Sequence, residues 1–202
     1  MSSPALAVFE RLLEQVRNVE AAAYRAADSG HLESVPTLLR SAYVLTVAAF
    51  DTYAHERGIE LLVREAAASG DSADRVGRFL SRRVDFVCGE HAAAHIRLAL
   101  SYKTLVSPDS LDKLLLAIGL DAEEVWLSCA IALGSRPDRL RLQLQLIYDR
   151  RNQIAHEGDW DVVQIEFRPM EYAHLNDCID HVEKVVRSLD TVLPLGDGAT
   201  SG

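Results

Sequence analysis

Apolar side chains recur along most of this chain at intervals of three and four, the spacing that lines one face of an α-helix. Leu6, Phe9, Leu12, Leu13, Val16, Val19 and Ala23 mark a first helix over 5–27, stopped by Ser29-Gly30. The longest run, 34–68, opens at Ser34 with Pro36 in its first turn. Leu38, Leu39, Ala42, Leu45, Ala49, Tyr53, Leu61 and Leu62 fall on its inner face, and Gly58 is a candidate kink. A loop at 68–72 leads into a weakly periodic, arginine-rich stretch over 73–87. Further helices are predicted over 90–104, 110–118, 121–133, 135–156 and 169–192, separated by Ser107-Pro108-Asp109, Gly119 and Gly134.

Two stretches conflict with a purely helical pattern. Residues 139–146 read RLRLQLQL, whose period of two suggests a strand. Their composition favours helix, because Arg, Leu and Gln are good helix formers and Pro137-Asp138 suits a helix start. Helix is the expectation here. Val162–Phe167 is rich in β-formers, but one strand cannot make a sheet, so an extended connector or small ribbon is expected near 162–167. The fold class is therefore all-α, a bundle of five to seven helices in one domain over 1–195, followed by a disordered tail at 196–202.

Composition changes this picture little. Hydrophobic residues make up 49% of the 202 and charged residues 25%, a balance that builds a core without disulfides or metal. Glu10 and Arg11 interrupt any signal-peptide core, and no apolar run nears the roughly 20 residues of a membrane span. Cys88, Cys129 and Cys178 are odd in number and widely spaced, which suggests reduced structural thiols in a cytoplasmic protein.

Charge matters more. The net charge of −9 excludes a protein that coats nucleic acid through bulk positive charge. The acidity is uneven: residues 1–156 hold 18 basic and 20 acidic side chains, whereas 157–202 hold 3 and 10. Two stretches are locally basic, 75–83 with four Arg and 136–151 with five Arg against Asp138 and Asp149. Either could meet a phosphate backbone or simply be a solvated face.

The segment Ile147-Tyr148-Asp149-Arg150-Arg151-Asn152-Gln153-Ile154-Ala155-His156-Glu157-Gly158-Asp159 holds the candidate chemistry. An Arg followed by a His after four to six residues also occurs at Arg25…His31 and Arg168…His174, so context decides. Arg25…His31 crosses a turn, and Arg168…His174 starts at a Pro junction. Only Arg151…His156 closes a long helix before a Gly. The residues alone fit two readings. Cations in a last helical turn complement its dipole, or they form a site. His91 and His95 lie one turn apart but lack a third metal ligand, and no P-loop, GxGxxG or nucleophile elbow occurs.

Arg151-Asn152-Gln153-Ile154-Ala155-His156 at the end of a penultimate helix resembles the HEPN superfamily, most closely the RiboL-PSP type found among bacterial ribonuclease toxins and defence proteins. Arg40-Ser41-Ala42-Tyr43 leading to Ala49-Phe50-Asp51-Thr52-Tyr53, the block around Trp126 and the acidic Glu157-Gly158-Asp159 extend the likeness over about 35–190. The resemblance implies a helical bundle that dimerises, so that two Arg/His helices face each other across an RNA cleft. It implies metal-independent cleavage with no cofactor: the ribose 2′-OH attacks the adjacent phosphate, leaving a 2′,3′-cyclic phosphate and a 5′-OH.

The residue types suit that chemistry. Histidine as a residue type can move a proton at neutral pH, the role expected of His156, and the Arg151 fork can steady a charged phosphate. Asn152, one turn before His156, is placed to orient the imidazole. Arg151 and His156 lie about 140° apart around the axis, which favours a site shared across a dimer. Arg150, Tyr148 and Arg141 are candidate substrate contacts, with Asp51 and Glu157 as auxiliary groups and no metal. The expected partners are RNA, a second copy and a cognate antitoxin, with no membrane. The −9 charge motivates a rival, a non-catalytic HEPN-like dimer that binds RNA or a partner protein.

Overall fold

The computed structural model describes residues 2–68, 70–88 and 91–194. The expected tail at 196–202 lies outside the described residues. Helix α1 spans Pro4–Asp28, where the Ser3 hydroxyl accepts the Leu6 N–H at 3.1 Å and Pro4 occupies the first turn. A short 3₁₀ turn, Leu32–Ser34, leads into α2, Val35–Ala68. Then follow α3 (Gly70–Leu80), α4 (Val84–Val87), α5 (Ala92–Leu100), α6 (Pro108–Ala117), α7 (Ala122–Ala132), α8 (Pro137–Glu157) and α9 (Tyr172–Val192). The all-α expectation holds.

The weakly periodic stretch over 73–87 is helical, in α3 and α4, and α3 begins at Gly70, inside the loop expected at 68–72. Ser81 takes a left-handed backbone (φ 55°) and ends α3. The predicted helix over 90–104 is shorter, because the chain turns at Ser101–Lys103, where the Lys103 N–H reaches the Leu100 carbonyl at 2.8 Å.

Helix α2 is the spine, packed against α1, α3, α5, α8 and α9. Gly58 does not break it. A Cβ there would meet Leu114 of α6 at 3.2 Å, so the glycine admits a close neighbour. One core runs from Ala5 to Leu193. Its largest fully buried side chains include Trp126, Tyr53, Phe9 and Phe50, and burying one such ring contributes about 2–3 kcal/mol. The Trp126 indole N–H donates to Asp112 Oδ1 at 2.7 Å, so the buried ring has no orphaned donor.

Residues 139–146 are helical, within α8. Their alternate leucines divide between two environments: Leu140 and Leu144 enter the core, while Leu142 and Leu146 remain 61% and 59% exposed. The ribbon near 162–167 exists in reduced form. β1 (Trp160–Asp161) pairs antiparallel with β2 (Glu166–Phe167), and residues 162–165 form the turn between them. No helix among the described residues is long and apolar enough to cross a membrane.

Candidate functional site

Helix α8 brings the candidate residues to its C-terminal end. Pro137 fits the first turn, and the helix stops at Gly158, which adopts φ 63°, a backbone that strains any side chain but glycine's. Asp159 follows in the same left-handed region, at φ 62°. Its carboxylate is fully buried and lies between two guanidiniums. Arg40 Nε of α2 donates to Oδ2 at 2.5 Å. Arg150 forks onto both oxygens, with Nη2 at 2.9 Å from Oδ2 and Nη1 on Oδ1. The same arginines also hold the returning strand, Arg40 through the Arg168 carbonyl (2.7 Å) and Arg150 through the Pro169 carbonyl (3.0 Å). Arg168 ties Glu157 at 3.2 Å and the Trp160 carbonyl at 3.0 Å. Asp159 therefore pins α2, the end of α8 and the hairpin together. From sequence, Asp159 is only one member of the acidic Glu157-Gly158-Asp159 segment. The available signal was a carboxylate directly after a helix-ending glycine, within reach of Arg150.

The proposed catalytic residues lie beside this cluster without joining it. Arg151 Nη1 donates to Asn152 Oδ1 at 3.0 Å, and its buried Nε has no hydrogen-bond partner among the described residues. His156 is exposed. Among the described residues no hydrogen bond joins it to Asn152, and it faces no carboxylate within ion-pair distance. At about 100° per residue, Arg151 points the same way as Leu140, Leu144 and Ile147, whereas His156 shares the outward face of Leu142 and Leu146.

The other candidates are already engaged. Arg141 pairs with Asp112 (3.2 Å) and Glu123 (2.7 Å) and lies over the Trp126 ring at 5.5 Å. Tyr148 packs against the core. Asp51 accepts the Leu105 N–H at 2.8 Å, with His55 Nε2 at 3.5 Å. Glu157 pairs with Arg168. Arg150 is held by Asp159 and the Pro169 carbonyl.

A groove of about 650 Å³ runs beside α8, with Tyr43, Gln143, Leu146, Arg150, Arg168 and His174 in its wall. The wall does not include Arg151 or His156. Burial pushes the Cys178 thiol at its edge up to about 12 and lifts the Tyr43 hydroxyl above its ordinary range, so neither ionises near neutrality.

The model of the RiboL-PSP-HEPN family matches residues 10–194, nearly the whole described chain. No curated protein and no solved structure matches. With its all-helical bundle and the Arg151-Asn152-x3-His156 segment closing α8, the chain belongs to the RiboL-PSP-HEPN family.

Proposed function

We propose that this protein is a metal-independent endoribonuclease acting as a toxin or phage-defence effector in the cytoplasm, with Arg151, Asn152 and His156 as its catalytic residues. The observation that carries the reading is selective freedom at the end of α8. Arg150, Glu157 and Arg168 are tied into ion pairs, while Arg151 and His156 meet no carboxylate among the described residues. An uncommitted guanidinium can take a phosphate oxygen, and an exposed imidazole can take the 2′-OH proton or return one to the leaving 5′-oxygen.

A second copy completes the site in this proposal. Arg151 and His156 diverge around the helix, so one chain does not converge them on a single phosphate. Leu142 and Leu146 give the His156 face an apolar strip that a symmetry-related α8 would cover. Light scattering should report a dimer, and a monomer that cleaves RNA would overturn the shared site.

The direct test is RNA cleavage in EDTA by wild type and His156→Ala. Wild type should yield 2′,3′-cyclic phosphate and 5′-OH ends, and the variant should lose about 10²–10⁴ in rate. Equal cleavage by both, or none by either across a range of RNAs, would overturn the catalytic reading.

A further inference from the structure

A second cationic groove lies away from α8. It has a volume of about 560 Å³ and is walled by Arg75, Arg78, Phe79, Lys103, Lys113 and Leu116, with no carboxylate among the described lining residues. Three separate parts of the chain converge there: α3, the turn after α5, and α6. Arg75 is paired with Glu65, and Lys113 with Asp109 at 2.7 Å. Arg78 and Lys103 have no carboxylate partner among the described residues. The Lys103 ammonium lies 5.4 Å from the centre of the Phe79 ring, a contact that holds a cation against an aromatic face. Leu116 is 66% exposed, so the floor is apolar as well as aromatic.

The surroundings give the groove a direction. Beyond Arg75 and Lys113 the surface meets Asp112 and Asp121, which repel phosphate. Along the sequence α3 is followed by Ser81 and Arg82, where a second cation lies over an aromatic ring. The Arg82 guanidinium lies 5.6 Å from the Phe86 ring centre, and His95 stacks on that ring at 4.2 Å. Cations over aromatic faces, repeated along one stretch of a protein whose net charge is −9, match a ligand of alternating phosphates and flat rings.

We propose that this groove is a second RNA-binding site that takes a single-stranded segment of the substrate outside the α8 site, its phosphates on Arg78 and Lys103 and a base against Phe79. The inference rests on RNA being the ligand of the α8 site. A duplex buries its base faces, so the ring contact selects unpaired RNA.

The test is fluorescence anisotropy of the full-length protein with a labelled 2′-O-methyl oligouridine, which binds without being cut. Arg78→Ala/Lys103→Ala should weaken binding on the order of tenfold near 0.1 M salt and lower the slope of log K against log salt by about 1.4, two lost phosphate contacts. Arg78→Lys/Lys103→Arg should retain both affinity and slope, which separates charge from folding. Unchanged affinity and slope in the alanine pair would overturn the proposal, as would tighter wild-type binding to a duplex of the same length. Because the readout is binding to uncleavable RNA, cleavage that survives His156→Ala would sink the ribonuclease reading and leave this result standing.

Discussion

Five arginines lie between residues 136 and 151 and four between 75 and 83, and the fold surrounds the two sets differently. In the first set Arg136 meets Asp138, Arg141 meets Asp112 and Glu123, and Arg150 meets Asp159. Only Arg139 and Arg151 have no carboxylate partner among the described residues. In the second set Arg75 is paired, while Arg78 stays exposed and Arg82 rests over Phe86. Charge counted along a window is therefore not charge available to a ligand. The acids that neutralise the α8 stretch come mostly from outside it, across tertiary contacts. The difference also separates two roles: the α8 arginines chiefly build a rigid end for a few chemical groups, and the α3 arginines present a surface.

The largest expected effect breaks that contrast within α8 itself. Arg151→Ala should cost about 10²–10³ in cleavage rate, the usual consequence of removing a group that stabilises developing charge, and leave the unfolding midpoint in place. Its neighbour should do the reverse. Arg150→Ala, and more strongly Asp159→Ala, should lower stability, the latter by about 3 kcal/mol in urea titration, because two guanidiniums lose their buried counter-charge. A cleavage defect in Arg150→Ala larger than its stability loss explains would place Arg150 on the substrate after all.

A smaller effect distinguishes the two ends of α8 by pH. His181 of α9 is buried, and loss of solvation lowers its pKa below 6.5, with an interaction at the Leu140 backbone working the other way. A depressed histidine stabilises the fold fully above its unfolded pKa of about 6.5 and loses that contribution as pH falls below it. Urea midpoints should therefore drop from pH 7.5 to 5.5, and His181→Gln should flatten the drop. A drop that stays as steep in His181→Gln would show that another group carries it.

Much of this was legible in the chain. Ser107, Asp121 and Gly158 marked helix ends because capping is local chemistry, read from three or four consecutive residues. The alternating leucines of 139–146 were correctly read as helix, since propensity outweighed period where no β-branched residue intervened. The close approach of Leu114 to Gly58 is not legible in sequence, because the two positions lie 56 residues apart. The position of Arg151, Asn152 and His156 on one helix end was visible in sequence. The commitments of Arg150 and Arg141 were not, because Asp159 and Asp112 reach them only in the fold, as Arg40 reaches Asp159 across 119 residues.

The hairpin after α8 has a further consequence. Its tip, Val162 to Ile165, is exposed, while the backbone on either side is clamped by Arg40, Arg150 and Arg168. The covalent link across the tip is thus the one connection there that the surrounding contacts duplicate. A protease cut or an inserted peptide at 162–165 interrupts the chain without releasing either flank. The two fragments of a chain cut there should stay associated, joined by a buried carboxylate in place of a peptide bond, which gel filtration of the nicked protein checks.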